Sequence, residues 1–292
     1  MKGIYSALMG IFDADGSVNE GGQRALVRHN IDRCLVDGLY VNGSTGETFL
    51  MTQPQRKEIL RIVASEAQGK AHLIAQVGVL SMDELLDMAA YAAELGYGAI
   101  SAVTPFYYKY TAAEIAQYYR DIAAKSALPV IAYYIPTLSG VTMSAATLSE
   151  ILDMPGMGGL KFTSPDLFAL ERVRAAQPDK LILSGSDEML LSAAVLGTDG
   201  AIGSTYNIMG HWAKKIFASA QAGDILTARK AQGHLNYVVE KLIAAGLFPT
   251  LKAVAALYGV EAGECKKPMS PVTDAQRAAA VEIKDYIENT DA

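Results

Sequence analysis

The chain has 292 residues, 51% of them hydrophobic, and a formal net charge of −6. That is enough apolar material for a sizeable core in one or two domains, and α/β barrels reach this length as a single unit. The absence of a long basic run argues against a nucleic-acid partner, and no apolar stretch reaches the roughly 20 residues that a membrane helix needs.

The N-terminal Met1-Lys2-Gly3-Ile4-Tyr5 runs straight into a strand-like segment without the apolar stretch or small-residue cleavage site of a secretory leader. The two cysteines, Cys34 and Cys265, form no CxxC pair and no His/Cys cluster. The expectation is a cytoplasmic protein with two reduced thiols. Short apolar runs follow one another at 4–9, 38–41, 72–77, 99–103, 130–134, 157–162, 181–183 and 200–202. Between them lie amphipathic segments at 22–36, 53–66, 82–95, 112–126, 144–154, 166–176 and 188–196. The second opens on Thr52 with Pro54 in its first turn, a helix-start signal. Strands alternating with helices at this spacing predict βα units and a parallel sheet. Eight such units favour a closed α/β structure, the (β/α)₈ TIM barrel, over an open doubly wound sheet. After Gly203 the pattern becomes helical, at 211–222, 225–245, 250–258 and 273–289. We read residues 1–222 as the barrel with its active site, and 223–292 as a C-terminal helical extension packed on it.

No G-x-G-x-x-G or G-x-x-x-x-G-K-[ST] motif is present, which removes the usual reasons to invoke a dinucleotide or ATP. The four histidines, at positions 29, 72, 211 and 234, are scattered without a metal-ligand companion, and we read them as structural. The net field mildly repels an anionic substrate, so such a molecule has to be held by local donors.

Chemistry in a βα barrel sits at the carboxyl ends of the strands. Lys161 falls near the end of the sixth strand, in Gly158-Gly159-Leu160-Lys161-Phe162-Thr163. Burial there disfavours an ammonium and frees an amine to attack a carbonyl; the alternative is a packed stem with its head in solvent. Tyr133 ends the preceding strand, about 4.8 Å away across the sheet, within reach of that lysine. Tyr133 and Tyr134 point to opposite faces, so only one can serve the site. A phenol beside an iminium is a proton carrier, while a barrel-filling ring is the plainer role. Gly43-Ser44-Thr45-Gly46-Glu47 follows the second strand as a loop rich in hydroxyls and backbone N–H groups, suited to a carboxylate. A helix follows only after Thr52. Ser184-Gly185-Ser186-Asp187-Glu188 and Gly203-Ser204-Thr205-Tyr206-Asn207 end the last two strands. Asp187 and Glu188 either accept hydroxyls of a sugar or cap the next helix.

Together Gly43-Ser44-Thr45-Gly46-Glu47, Thr104-Pro105-Phe106-Tyr107, Tyr133 with Ile135-Pro136, Gly159-Leu160-Lys161 and Gly203-Ser204 resemble the dihydrodipicolinate synthase/N-acetylneuraminate lyase family of class I pyruvate aldolases. The similarity runs over nearly the whole chain, in the family's order and spacing. It implies that Lys161 forms a Schiff base with a 2-keto acid, that Tyr133 is the acid/base, and that Ser44 and Thr45 hold the carboxylate. Tyr107 matches an aromatic that a neighbouring subunit commonly supplies, and the implied assembly is a homotetramer. No metal and no organic cofactor are implied.

Leu138 stands where the synthases carry an arginine and cannot make that bidentate pairing. Leu138-Ser139-Gly140 and Gly185-Ser186-Asp187-Glu188 resemble the lyase branch instead. That branch implies retro-aldol cleavage of a sialic acid, with sialic acid and pyruvate as the small-molecule partners. Thr163, Gly185, Asp187, Glu188 and Ser204 then fall among the substrate-binding residues. An aldolase or dehydratase acting on another 2-keto sugar acid, and a keto-acid sensor without turnover, are the other readings. Two departures stand out. Gly10-Ile11 replaces a common Thr-Pro, with looser packing behind Lys161 as the expected result. Tyr134 stands where asparagine is frequent.

Overall fold

The computed structural model describes residues 1–290, so the last two positions of the expected extension lie outside the described residues. Eight parallel strands pair in chain order and close on themselves: β1 (Gly3–Ala7), β2 (Gly38–Val41), β3 (His72–Gln76), β4 (Ala99–Val103), β5 (Val130–Tyr134), β6 (Met157–Phe162), β7 (Leu181–Ser184) and β8 (Gly200–Gly203). The closing seam aligns Gly3 with Gly200 and Tyr5 with Ile202. The expected TIM barrel is therefore the fold. Its strands read as unbroken apolar runs because both faces are buried. On β5, Ile131 and Tyr133 face the barrel interior, while Val130, Ala132 and Tyr134 face the helices.

The surrounding helices are α1 (Glu20–Arg28), α2 (Gln53–Ala67), α3 (Met82–Glu94), α4 (Ala112–Lys125), α5 (Pro136–Ser139), α6 (Ala145–Leu152), α7 (Leu167–Ala176), α8 (Leu190–Val195) and α9 (Tyr206–Gln221). The Thr52 signal works as read: its side chain and that of Gln55 cap each other's backbone at the start of α2. Helix α1 stops at Arg28, short of the expected 36, and gives way to a π turn over His29–Arg33. The buried Asn30 amide there donates to Leu26 O at 2.9 Å and to Asn207 Oδ1 at 3.3 Å. Helix α9 starts at Tyr206, five residues before its expected start, and kinks at Met209. Helices α10 (Ile225–Ala245), α11 (Leu247–Ala256) and α12 (Asp274–Asn289) follow, with α10 packed on α9 and α12 on α11. No helix among the described residues is long and apolar enough to cross a membrane.

Both departures from the family pattern have a packing answer. The segment at Gly10-Ile11 is tight, against the expectation of loosened packing: Ile11 is fully buried. A Cβ on Gly10 would lie 2.6 Å from the Phe12 ring and 2.8 Å from Gly46 O. Glycine lets the β1 loop press directly on the β2 loop. Tyr134 faces away from the barrel interior, and its hydroxyl accepts Met143 N–H at 3.3 Å, which ties down the segment after α5.

The seam supplies a stability test. A Cβ on Gly200 would lie 1.9 Å from Gly3 O, a backbone atom that cannot swing aside. Gly200→Ala should destabilise the fold by about 1–3 kcal/mol through overpacking. A urea midpoint unchanged from wild type would contradict this.

Candidate active site

Strand register decides which side chains meet at the barrel mouth. Tyr133 on β5 aligns with Lys161 on β6, which aligns with Leu183 on β7. Lys161 is only 4% exposed. Its Nζ rests on ring faces, 3.9 Å from the Tyr133 centroid and 4.5 Å from that of Tyr40. The snorkelling alternative does not apply, because the amine stays inside. Ring faces attract cations, about 2 kcal/mol where water is excluded, so this pocket also favours the iminium that a lysine forms with a ketone.

Tyr40 was not singled out from the sequence. Its hydroxyl donates to Ser101 Oγ at 3.0 Å, and its ring meets Tyr133 edge-on at 6.0 Å. Burial and the neighbouring Tyr133 push its phenol well above the ordinary tyrosine range, and its ring forms a wall of the site. A Cβ on Gly43 would press on the Tyr40 ring at 2.8 Å, a contact that no pattern in the sequence reveals.

Gly185 and Thr163 form the next contact. A Cβ on Gly185 would fall 1.8 Å from Thr163 Oγ1 and 3.3 Å from Lys161 Cε, so only glycine admits both side chains. Thr163 Oγ1 is buried and makes no hydrogen bond among the described residues. It is a hydroxyl close to the Lys161 stem with its hydrogen-bonding capacity unused among the described residues.

The segment after β2, expected as a loop before the helix at Thr52, has a regular local form. It is two 3₁₀ turns, Ser44–Gly46 and Thr48–Leu50, joined at Glu47 in the left-handed conformation with φ 61°. Thr45 Oγ1 lies 2.7 Å from Ser204 Oγ, which joins this turn to the end of β8. Asn207 holds the β8 end, donating to Ala7 O at 2.7 Å and Ser204 O at 2.8 Å. The Glu47 side chain is buried and pairs with Lys252 at 2.6 Å, both side chains at most 1% exposed. That pair was not foreseen. A lone lysine in the apolar stretch of α11 is the same signal that pointed to Lys161.

Asp187 and Glu188 part company. Asp187 is buried, and its Oδ2 accepts Thr205 N at 2.9 Å and Thr205 Oγ1 at 2.7 Å. Glu188 is exposed. Both belong to the 3₁₀ turn Asp187–Met189, not to a full helix start. Gln232 of α10 donates to Asp187 O at 3.1 Å, and Asn236 donates to Glu188 O at 3.2 Å. Tyr107 is 81% exposed, with φ 76° and its ring edge-on to Tyr108. It does not join the rings under the Lys161 amine. Leu138 is exposed on a cavity of about 260 Å³ bounded by Ser44, Thr48, Phe49, Phe106 and Ser139. Thr48 Oγ1, in its wall, is buried without a hydrogen-bond partner among the described residues.

The class is an α/β barrel that encloses a lysine amine among aromatic rings at the carboxyl ends of its strands. The sequence pattern of the Dihydrodipicolinate synthetase family matches residues 1–286, and the chain belongs to that family. An N-acetylneuraminate lyase from Clostridium perfringens is 48% identical over 283 residues, covering 97% of this chain and 98% of that protein. A crystal structure of CdNal from Clostridium difficile in complex with mannosamine superimposes with a TM-score of 0.96 at 45% identity, covering 98% of each chain. The N-acetylneuraminate lyase from Fusobacterium nucleatum complexed with pyruvate gives a TM-score of 0.93 at 46% identity, covering 98% of this chain and 97% of that one.

Burial pushes the Asp187 carboxyl up to about 6, against the opposing Thr205 bonds. A raised carboxyl keeps its proton in the folded state after the unfolded chain has lost its own. Its contribution is therefore fully present below about pH 4 and lost as pH rises through about 6, a change of about 3 kcal/mol. Relative to Asp187→Asn, the wild type should become progressively less stable between pH 4 and 7. Parallel denaturation curves for the two proteins at both pH values would refute the assignment.

Proposed function

We propose that this protein cleaves N-acetylneuraminate reversibly to N-acetylmannosamine and pyruvate through a Schiff base on Lys161. The observation that carries the reading is the enclosed Lys161 amine, one strand from Tyr133 and beside the unpartnered Thr163 hydroxyl. The names of the relatives and the pyruvate bound by one of them agree with it. Residues 1–222 form the barrel that carries the site, and the helices from 223 onward are its extension.

The open-chain sugar acid enters with its carboxylate on Ser44 and Thr45. Lys161 Nζ adds to C2, and loss of water leaves the iminium. Tyr133 takes the proton of the 4-hydroxyl. The C3–C4 bond breaks, its electrons flow into the iminium to form an enamine, and C4 leaves as the aldehyde of the amino sugar. Protonation of the enamine at C3 and hydrolysis return pyruvate and the free amine. Thr163, Gly185, Asp187, Glu188 and Ser204 bind the remainder of the chain on the β6–β8 side, with Thr205 keeping the Asp187 carboxylate in place.

Tyr107 acts in the site of a neighbouring copy. Its ring projects into solvent, and the cavity beside Ser44 offers apolar walls with hydroxyls at Ser44, Thr48 and Ser139, the chemistry that a phenol needs. A second apolar surface lies elsewhere, at Phe168 and Val195, both exposed, on α7 and α8. Two distinct surfaces are what a homotetramer of dihedral symmetry requires.

Borohydride with pyruvate should add a stable mass at Lys161. Lys161→Ala should abolish both adduct and turnover, and Tyr133→Phe should lower kcat by roughly 10²–10⁴-fold. Pyruvate release from a panel headed by N-acetylneuraminate tests the substrate; faster release from a different 2-keto sugar acid would reassign it. Co-assembly of Lys161→Ala with Tyr107→Ala subunits should recover activity beyond the sum of the two alone. No recovery would remove Tyr107 from the neighbour's site.

A further inference from the structure

We infer that Glu47 and Lys252 are positioning residues for the keto-acid carboxylate: a buried ion pair through which the C-terminal helices set the turn that carries Ser44 and Thr45. This rests on the Schiff-base reading above and adds a working part to it.

Glu47 is the C-terminal cap of the Ser44–Gly46 turn, and its N–H donates to Ser44 O at 3.0 Å. It adopts φ 61°, a left-handed conformation that glycine takes without cost and glutamate does not. A strained residue invites a search for what holds it, and here the side chain supplies the answer. Oε1 lies 2.6 Å from Lys252 Nζ on α11, and Oε2 accepts Lys266 N–H at 2.6 Å. Lys252 Nζ also donates to Glu264 O at 2.9 Å and sits 4.9 Å from the Phe12 ring centroid. Oε1 is therefore held by charge pairing alone and Oε2 by a backbone hydrogen bond, both from residues far along the chain.

The turn is pinned on its other side too. A Cβ on Gly46 would lie 3.0 Å from Leu8 O, so the β1 loop limits movement in that direction. That backbone and the ion pair hold the turn carrying Ser44 and Thr45 from two sides. General stability is a weak reason for such a pair, because a buried ion pair is often no better than apolar residues of the same volume. Fixing a reactive geometry is what two enclosed, paired charges do well.

The test is the double variant Glu47→Gln/Lys252→Met, which removes both charges at conserved volume and leaves none unpaired. The KM for the keto acid and the pyruvate concentration that half-saturates borohydride trapping should both rise about 10-fold or more, as a displaced binding group entails. kcat at saturation should stay near wild type, the pattern of lost uniform binding. Lys252→Arg, whose wider head cannot sit at the same place without moving the turn, should show the same split even where the double variant does not fold. Restoring the pair on either background should restore pyruvate affinity. A folded variant with unchanged half-saturation would overturn the inference and leave the pair a packing feature. Absence of a pyruvate adduct on the wild type would instead bring down the Schiff-base reading itself.

Discussion

An amine inside a closed barrel is the constraint on which the rest of this structure turns. Each strand is buried on both faces, so a lysine that points inward has no water to fall back on. Here the Lys161 amine rests on two ring faces. That arrangement requires aromatic residues at matched heights on β2 and β5, and strand register puts Tyr40 and Tyr133 there. It also requires space beside the lysine stem, which Gly185 yields to Thr163. The site is a consequence of resolving one awkward burial with few atoms.

The loops at the mouth are braced from outside the barrel. The turn after β2 is held by Lys252 on α11 and by the backbone of Lys266. The turn after β7 is held by Gln232 and Asn236 on α10. Loops are ordinarily the mobile part of a barrel enzyme. In this chain two of the segments that carry proposed binding residues are tied by side chains from the helices that follow the last strand. The extension thus belongs to the architecture of the site.

Much of the barrel was legible because apolar runs and amphipathic stretches alternate with regular spacing. Lys161 was legible because a lysine among apolar strand residues breaks that pattern. The same break at Lys252 lies in a helical stretch, where a packed stem with an exposed head is the ordinary outcome, and it was passed over. Tyr40 was hidden among the other strand residues, since a doubly buried strand shows no alternation that tells inward from outward. Asp187 and Glu188 read as a pair of acids, yet the 3₁₀ turn buries one and exposes the other. Gly10 was expected to loosen its neighbourhood, and instead it allows two loops to touch.

By itself the sequence determined the alternation of strands and helices, their order and which residues carry an amine or a phenol near the strand ends, since periodicity and side-chain chemistry are local properties. Only the tertiary structure decided which face of each strand looks inward, that Lys161 lies on Tyr40 as well as Tyr133, and that Glu47 reaches across the chain to Lys252. Those facts depend on barrel register and on contacts between segments some 200 residues apart. No window of sequence contains the closure that brings them together.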